Sequence, residues 1–118
     1  MSSWASISAS EYGRLAEFAA AWLMRLRGYR VVARNVRVAG REIDLVARRG
    51  ELLVVCEVKA RRHAGRGRPA EAVDARKQRR MYQAAELLAA ADPGIRRVRF
   101  DVVTVDGLRI RHLPGAFS

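Results

Sequence analysis

The feature that most constrains this chain is the run LLVVCEVK at residues 52–59. Alternate residues of a strand point to opposite faces of a sheet, and both sets are apolar here: Leu52, Val54, Cys56 and Val58 on one side, Leu53 and Val55 on the other. Apolar residues on both faces predict a central strand that is covered on both sides. The run ends in Glu57 and Lys59, so ionisable side chains are expected at one end of a buried strand.

The segments around this run predict two helices and four further strands. Ser10 is a candidate N-cap for a helix over residues 11–27, in which Leu15, Phe18, Trp22 and Leu26 recur at helical spacing, and Gly28 is a candidate helix stop. Strands are predicted at 29–33, 41–48, 51–59, 98–105 and 108–113, with two-residue turns at 49–50 and 106–107 and further turns at Asn35 and at 39–40. A second helix is predicted from Pro69 or Ala70 to about Ala91. The order is αβββαββ, an α/β fold.

The bulk properties favour a single cytoplasmic domain with a polyanionic partner. A length of 118 residues suits one domain spanning 1–118, with a frayed N-terminus at about 1–9 and a mobile basic loop at 61–69. No membrane span or signal peptide is expected, and the lone Cys56 predicts a reducing compartment and a small buried side chain. The net charge of +11 favours nucleic acid or an acidic membrane surface. An arginine-biased codon supply is the alternative explanation of the arginine excess.

The hairpin between the second and third strands predicts a cluster of charged groups. If 49–50 is the turn, Arg48 pairs with Glu51, Asp44 lies opposite Val55, and Glu42 lies opposite Glu57. Asp44 and Glu57 are then diagonal neighbours on one face, roughly 7–8 Å apart, with Lys59 on the same face. Such groups at the end of a buried strand are costly unless they are paired or bind a metal ion.

Two interpretations of this cluster stay open. In one, Lys59 forms a structural salt bridge with one of the acids. In the other, Asp44 and Glu57 hold Mg²⁺ or Mn²⁺, which prefer hard oxygen ligands, and Lys59 positions a water molecule or neutralises a phosphate group. Metal-assisted hydrolysis of a phosphodiester bond is the chemistry that this second interpretation predicts.

The motifs resemble a known family. Glu42-Ile-Asp-Leu followed by Glu57-Val-Lys59 resembles the PD-(D/E)XK nuclease superfamily, and the chain as a whole resembles the YraN-like family, which is related to Holliday-junction resolvases. The matching segments, in order, are Gly13-Arg-Leu-Ala-Glu17, Gly28-Tyr, Arg34-Asn35, Gly40-Arg-Glu-Ile-Asp-Leu45, Val55-Cys-Glu-Val-Lys-Ala-Arg61, Lys77, Arg99-Phe-Asp-Val102 and Ala116-Phe117. The proline of the superfamily name is absent before Asp44.

The resemblance implies a restriction-endonuclease-like three-layer sandwich with a central mixed sheet between helices. It implies metal ligation by Asp44 and Glu57, with the Val58 carbonyl as a further ligand, and Lys59 as the catalytic lysine. It also implies that Glu17 reaches the site from the first helix, whereas helical rotation alone, which turns Glu17 away from the Leu15, Trp22 and Leu26 stripe, favours a solvated glutamate.

The basic residues that follow the third strand are the candidate nucleic-acid contacts. Arg61, Arg62, Arg66 and Arg68 are expected to contact backbone phosphates, although a simply disordered basic loop is the alternative. The resemblance suggests a phosphate contact for Lys77, which could equally be a solvated helix lysine. Glu42 is a spare acid on the same face, and His63 is expected to be merely exposed.

Two functions follow from these residues. The first is a metal-dependent DNA endonuclease, structure-selective in the manner of a Holliday-junction resolvase, that acts on branched or duplex DNA as a homodimer. The second is a weakly active or inactive nucleic-acid-binding protein that keeps the nuclease fold and acts as a partner in DNA repair, recombination or uptake. No small-molecule cofactor is expected in either case.

Overall fold

The run at residues 52–59 forms the centre of a five-stranded mixed sheet. The computed structural model describes residues 8–61 and 75–117, apart from the side chains of Lys77 and Phe117. Its elements are α1 (Ala9–Leu26), β1 (Arg30–Val38), β2 (Arg41–Arg49), β3 (Leu52–Arg61), α2 (Ala75–Ala90), β4 (Arg97–Asp106) and β5 (Arg109–Phe117). The strand order is β1-β2-β3-β4-β5, with β3 antiparallel to β2 and parallel to β4. The fold is therefore α/β, and the elements follow one another in the predicted order.

Strand β3 is covered on both faces, as its sequence predicts. Val54 and Cys56 lie in a buried cluster with the inward side of α1, whereas Leu53 and Val55 lie in a second cluster with Met81 of α2. The two helices therefore pack on opposite faces of the sheet. Cys56 is buried, as expected, and burial raises the pKa of its thiol well above the ordinary value.

Helix α1 begins two residues earlier than predicted, and Ser10 is not its N-cap. Ser8 is the cap: its hydroxyl accepts a hydrogen bond from the Glu11 N–H, and the Glu11 carboxylate accepts one from the Ser8 N–H. This reciprocal capping box satisfies two N–H groups that the first helical turn leaves unpaired. Residues 8 and 9 are thus part of the helix start, while residues 1–7 lie outside the described residues.

The inward face of α1 centres on three alanines, and four of its large apolar residues point outward. The buried residues are Tyr12, Ala16, Ala20, Ala21 and Met24. The predicted stripe of larger residues, namely Leu15, Phe18, Trp22 and Leu26, is exposed. Alanines on the inward face allow a helix to lie close to the sheet.

Both predicted two-residue turns are wrong by one position. The pairs Arg49 with Leu52 and Asp106 with Arg109 place Gly50-Glu51 and Gly107-Leu108 in the turns. Each glycine is the first central residue, with φ of +61° at Gly50 and +64° at Gly107. The β2–β3 pairing therefore shifts by two residues, so that Val46, and not Asp44, lies opposite Val55.

Strand β1 is longer than predicted, and it runs through the expected turn at Asn35. Asn35 lies within the strand at a left-handed φ of 51°, between Arg34, which pairs with Leu45, and Val36, which pairs with Ile43. The turn at Ala39 and Gly40 is confirmed. The described part of α2 starts at Ala75, and the predicted loop and helix start at 62–74 lie outside the described residues. Among the described residues, no helix is long and apolar enough to cross a membrane.

Candidate functional site

Asp44 is fixed against β3 by a bond to the main chain. The Val58 N–H donates a hydrogen bond of 2.9 Å to its Oδ2. The β2–β3 ladder ends at the pair Leu45 and Cys56, and extending that register puts Asp44 opposite Glu57 instead of diagonal to it. The Asp44 carboxylate thus accepts the hydrogen bond of a β3 N–H at the point where the regular β2–β3 pairing ends.

The surroundings of Asp44 oppose its negative charge. The pKa of Asp44 is raised from 3.8 to about 6: burial is the largest cause, the nearby carboxylates of Glu57, Glu17 and Glu42 add to it, and the Val58 N–H offsets part of the rise. Burial disfavours the ionised form because a charge loses its hydration, and like charges add to the cost. Within residues 8–61 and 75–117, no cationic side chain forms an ion pair with Asp44.

Glu57, by contrast, has cations at both oxygens. Lys59 Nζ lies 3.3 Å from Oε2, and Arg41 Nη2 lies 3.5 Å from Oε1, with the Glu57 side chain only 12% exposed. The salt bridge between Lys59 and an acid, one of the two interpretations of the sequence, is therefore present. It does not exclude the other interpretation, since the same contact holds Lys59 against Glu57, whose carboxylate acts on Asp44.

Arg41 is a site residue that sequence reasoning missed. Its side chain is 15% exposed, and its Nε has no hydrogen-bond partner among residues 8–61 and 75–117. A buried donor without a partner is costly, so a group that accepts from Arg41 would stabilise this edge. The signal in the sequence was the position of Arg41 at the start of β2, directly after the Ala39 and Gly40 turn.

The donors that the site offers are hard oxygens. In the described part of the chain, no group of three or more His, Cys, Asp or Glu is arranged to hold a metal ion. Mg²⁺ typically binds one or two protein carboxylates and completes its coordination with water and substrate phosphate. Asp44 and Glu57 fit that pattern, and a bound cation would relieve the charge penalty that burial and the neighbouring carboxylates place on Asp44.

Glu17 lies on the inward side of α1, where it faces the same cluster. It is partly buried, and its carboxylate is close enough to Asp44 to raise the pKa of that residue. The structure thus brings Asp44, Glu57, Lys59, Glu17 and Glu42 to one place.

The candidate phosphate contacts are only partly described. Arg61 is the last residue of β3 and is partly buried, and its carbonyl accepts a hydrogen bond from the Tyr12 hydroxyl. Arg62, His63, Arg66 and Arg68 lie outside the described residues. Lys77 lies in α2, and its side chain lies outside the described part.

A second buried cluster surrounds Asp101 on the face of the sheet that carries α1. Asp101 accepts hydrogen bonds from Arg99, from Nε2 of His112 at 2.7 Å and from the Gly115 N–H at 3.0 Å. Burial alone would raise the pKa of Asp101, but these bonds outweigh it and hold the pKa below its ordinary value. The Tyr29 hydroxyl accepts a further bond from Arg99. The cluster ties β4 to β5.

A family model described as "Uncharacterised protein family UPF0102" matches residues 16–105, and the chain belongs to this YraN-like family. The matched segment contains Glu17, Asp44, Glu57 and Lys59. The chain is 48% identical to the UPF0102 protein STH1475 of Symbiobacterium thermophilum over 111 residues, which are 89% of this chain and 94% of that protein. It is 46% identical to the UPF0102 protein GSU0650 of Geobacter sulfurreducens, over 86% of this chain and 84% of that protein. The UPF0102 protein of Syntrophotalea carbinolica is 41% identical over 90% of each chain.

Proposed function

We propose that this protein is a metal-dependent DNA endonuclease of the PD-(D/E)XK type, which hydrolyses phosphodiester bonds of DNA. Its fold would be a restriction-endonuclease-like sandwich. The observation that carries the proposal is the state of Asp44. Its carboxylate is fixed by the Val58 N–H, its pKa is raised to about 6, and it lies near Glu57, which is paired with Lys59. Acidic residues with strongly shifted pKa values are common at functional sites.

Each residue of the site has a separate role in this proposal. Asp44 and Glu57 would hold Mg²⁺ or Mn²⁺, together with the Val58 carbonyl and, directly or through water, Glu17. The bound ion supplies a more acidic water molecule and a counter-charge for the phosphate. The Lys59 ammonium group, held at 3.3 Å from Glu57, orients the attacking water or neutralises the charge that builds on the phosphate.

DNA is the polyanion that fits this site and the charge of +11. Phosphate contacts from arginines supply affinity that does not depend on sequence. Arg61 lies at the end of β3, and we assign the phosphate contacts to Arg61, to Arg62, Arg66 and Arg68, which follow it in the sequence, and to Lys77. A cytoplasmic location and a homodimer that acts on two strands are part of the proposal.

A binding protein without useful turnover is the second candidate, and one observation favours it. Both oxygens of Glu57 are already within reach of Lys59 and Arg41, so that the ion pairs compete with a metal ion. In this case the arginines would bind DNA and the acids would serve only to hold the fold.

A cleavage assay separates the two candidates. Labelled four-way junction, flap, single-stranded and duplex DNA are incubated with Mg²⁺ or Mn²⁺ and with wild type, Asp44→Asn, Lys59→Ala or the matched control Asp92→Asn. Asp92 lies in the loop after α2, is 43% exposed and pairs with Arg48. We expect metal-dependent cutting by wild type and Asp92→Asn, and loss of cutting in the two site variants. If no protein cuts any substrate while all four bind DNA in a salt-sensitive manner, the endonuclease proposal fails and the binding protein is correct.

A further inference from the structure

The outward face of α1 carries the largest apolar side chains of the helix. Leu15, Phe18, Trp22 and Leu26 are between 48% and 80% exposed. The side of the helix that packs on the sheet is formed by Tyr12, Ala16, Ala20, Ala21 and Met24 instead. An exposed row of large apolar residues on a highly charged protein marks an interaction surface.

Two of these residues are aromatic, and each ring is paired with an arginine. The rings of Phe18 and Trp22 meet edge to face with centroids 6.4 Å apart. The guanidinium of Arg25 lies 5.3 Å from the Trp22 ring, and that of Arg34 lies 5.7 Å from the Phe18 ring. Neither arginine has an ion pair within residues 8–61 and 75–117, so both keep hydrogen-bond donors for a ligand.

This face borders the candidate site. The link is Arg34, which lies against the Phe18 ring and pairs with Leu45, the neighbour of Asp44. A shallow groove lined by Glu11, Arg14, Leu15, Phe18 and Arg34 runs along the junction of α1 and β1. Glu11, the acid in this groove, is already used in the capping box, which leaves the groove with two arginines and a ring.

We propose that this face binds unpaired nucleotides of DNA beside the cleavage site, with bases stacked on Phe18 and Trp22 and phosphates on Arg14, Arg25 and Arg34. Aromatic side chains interleaved with arginines are the common platform for single-stranded nucleic acid, because every base has a stacking face. The inference rests on the proposed function for its substrate, and it selects splayed or branched DNA over intact duplex.

The charges on this face argue against a second copy of the chain as its occupant. A symmetric contact would bring the same patch of two subunits together. Arg25 and Arg34 would then face their own counterparts, with the acid of the groove already engaged. An anionic ligand would avoid this repulsion between like charges.

Binding in the absence of metal tests the inference separately from catalysis. The affinity of labelled oligothymidine is measured by fluorescence anisotropy in EDTA. Phe18→Leu and Trp22→Leu keep an apolar side chain but remove the ring, and Leu26→Ala is the control from the same row. We expect each ring variant to weaken binding by about fivefold or more, with little change in Leu26→Ala. For the charges, Arg34→Gln is compared with Arg111→Gln, an exposed arginine of the opposite edge strand, and only the first should lower the salt dependence of binding, by about 0.7 in the log–log slope.

Tryptophan fluorescence supplies a direct readout of stacking. The chain contains Trp4 and Trp22, so a Trp4→Phe variant leaves Trp22 as the sole reporter, and oligothymidine should quench it. Unchanged Trp22 emission together with unchanged affinity in Phe18→Leu and Arg34→Gln would overturn the inference. It would also be overturned if light scattering showed a dimer that Leu26→Ala or Trp22→Leu dissociates. If oligothymidine quenches Trp22 but the protein cuts no DNA substrate, only the proposed endonuclease activity is refuted, and the stacking surface stands.

Discussion

Replacing Asp44 by asparagine should stabilise the metal-free protein at neutral and alkaline pH. Its pKa rises from 3.8 to about 6 on folding because burial and three neighbouring carboxylates oppose the charge. At about 1.4 kcal/mol per pH unit, the ionised side chain costs about 3 kcal/mol of folding free energy. Solvent screening at this partly exposed group reduces the expected gain to about 1–2 kcal/mol. Asparagine keeps an oxygen that can accept from the Val58 N–H, so the strand contact is retained.

The sign of the pH dependence follows from the raised pKa. Above about pH 6 the carboxylate is charged in both the folded and unfolded states, and the folded state bears the full penalty. As the pH falls from 6 towards 3.8, the folded state takes up a proton first and the penalty disappears. The advantage of Asp44→Asn should therefore be largest at pH 8 and close to zero near pH 4.

Urea unfolding of wild type and Asp44→Asn at pH 8 and pH 4.5 measures this difference. Asp92→Asn is the matched control, because hydrogen bonds from Gly94 and Arg48 lower the pKa of Asp92, so that its replacement should destabilise the fold. Added Mn²⁺ should stabilise wild type at pH 8 but not Asp44→Asn, since the ion and the substitution relieve the same charge. An equal or lower urea midpoint for Asp44→Asn at pH 8, or a gain that is the same at both pH values, would refute the reasoning.

Two further predictions concern the contacts around the sheet. Asp101→Asn should cost about 3 kcal/mol by leaving Arg99 without its carboxylate. Because the pKa of Asp101 is lowered, its stabilisation is complete above about pH 4 and is lost only as the pH falls further, so urea midpoints of the two proteins should converge only in strong acid. Tyr12→Phe removes the hydroxyl that accepts from the Gly107 N–H at 2.7 Å and donates to the Arg61 carbonyl. It should cost about 1–2 kcal/mol and speed hydrogen exchange at Gly107, and unchanged exchange there would contradict this role.

The sequence predicts the centre of the fold well because β3 obeys a local rule. Two-residue periodicity with apolar residues on both faces is a property of the strand alone, and it correctly indicates a central strand. The hairpin register depends instead on which residues occupy the turn. Placing glycine second in each turn gives the wrong pairing, whereas Gly50 and Gly107 are both first. A one-residue error in the turn moved Asp44 by two positions relative to Glu57.

The details of the candidate site depend on features that periodicity does not encode. Asn35 adopts a left-handed conformation inside β1, and the regular pairing of β2 with β3 ends beside Asp44. The Val58 N–H is then free to bind the Asp44 side chain. Arg41 was missed for a related reason: its partner Glu57 is 16 residues away, and their contact forms beyond the last regular β2–β3 pair, where a ladder register does not predict which side chains meet.

For helix α1, the sequence predicts the helix correctly but not which of its faces packs on the sheet. The spacing of Leu15, Phe18, Trp22 and Leu26 identifies a helix, and hydrophobicity alone would turn that row towards the core. A solvated Glu17 follows only from that orientation. The structure turns Ala16, Ala20 and Ala21 inward together with Tyr12 and Met24, and the alanines let the helix pack closely on the sheet. Once Ala16 and Ala20 face inward, Glu17 is carried towards Asp44 and the aromatic row towards solvent. The same rotation that completes the acidic cluster therefore also leaves Phe18 and Trp22 free for a ligand, which is why the two proposals concern one edge of the molecule.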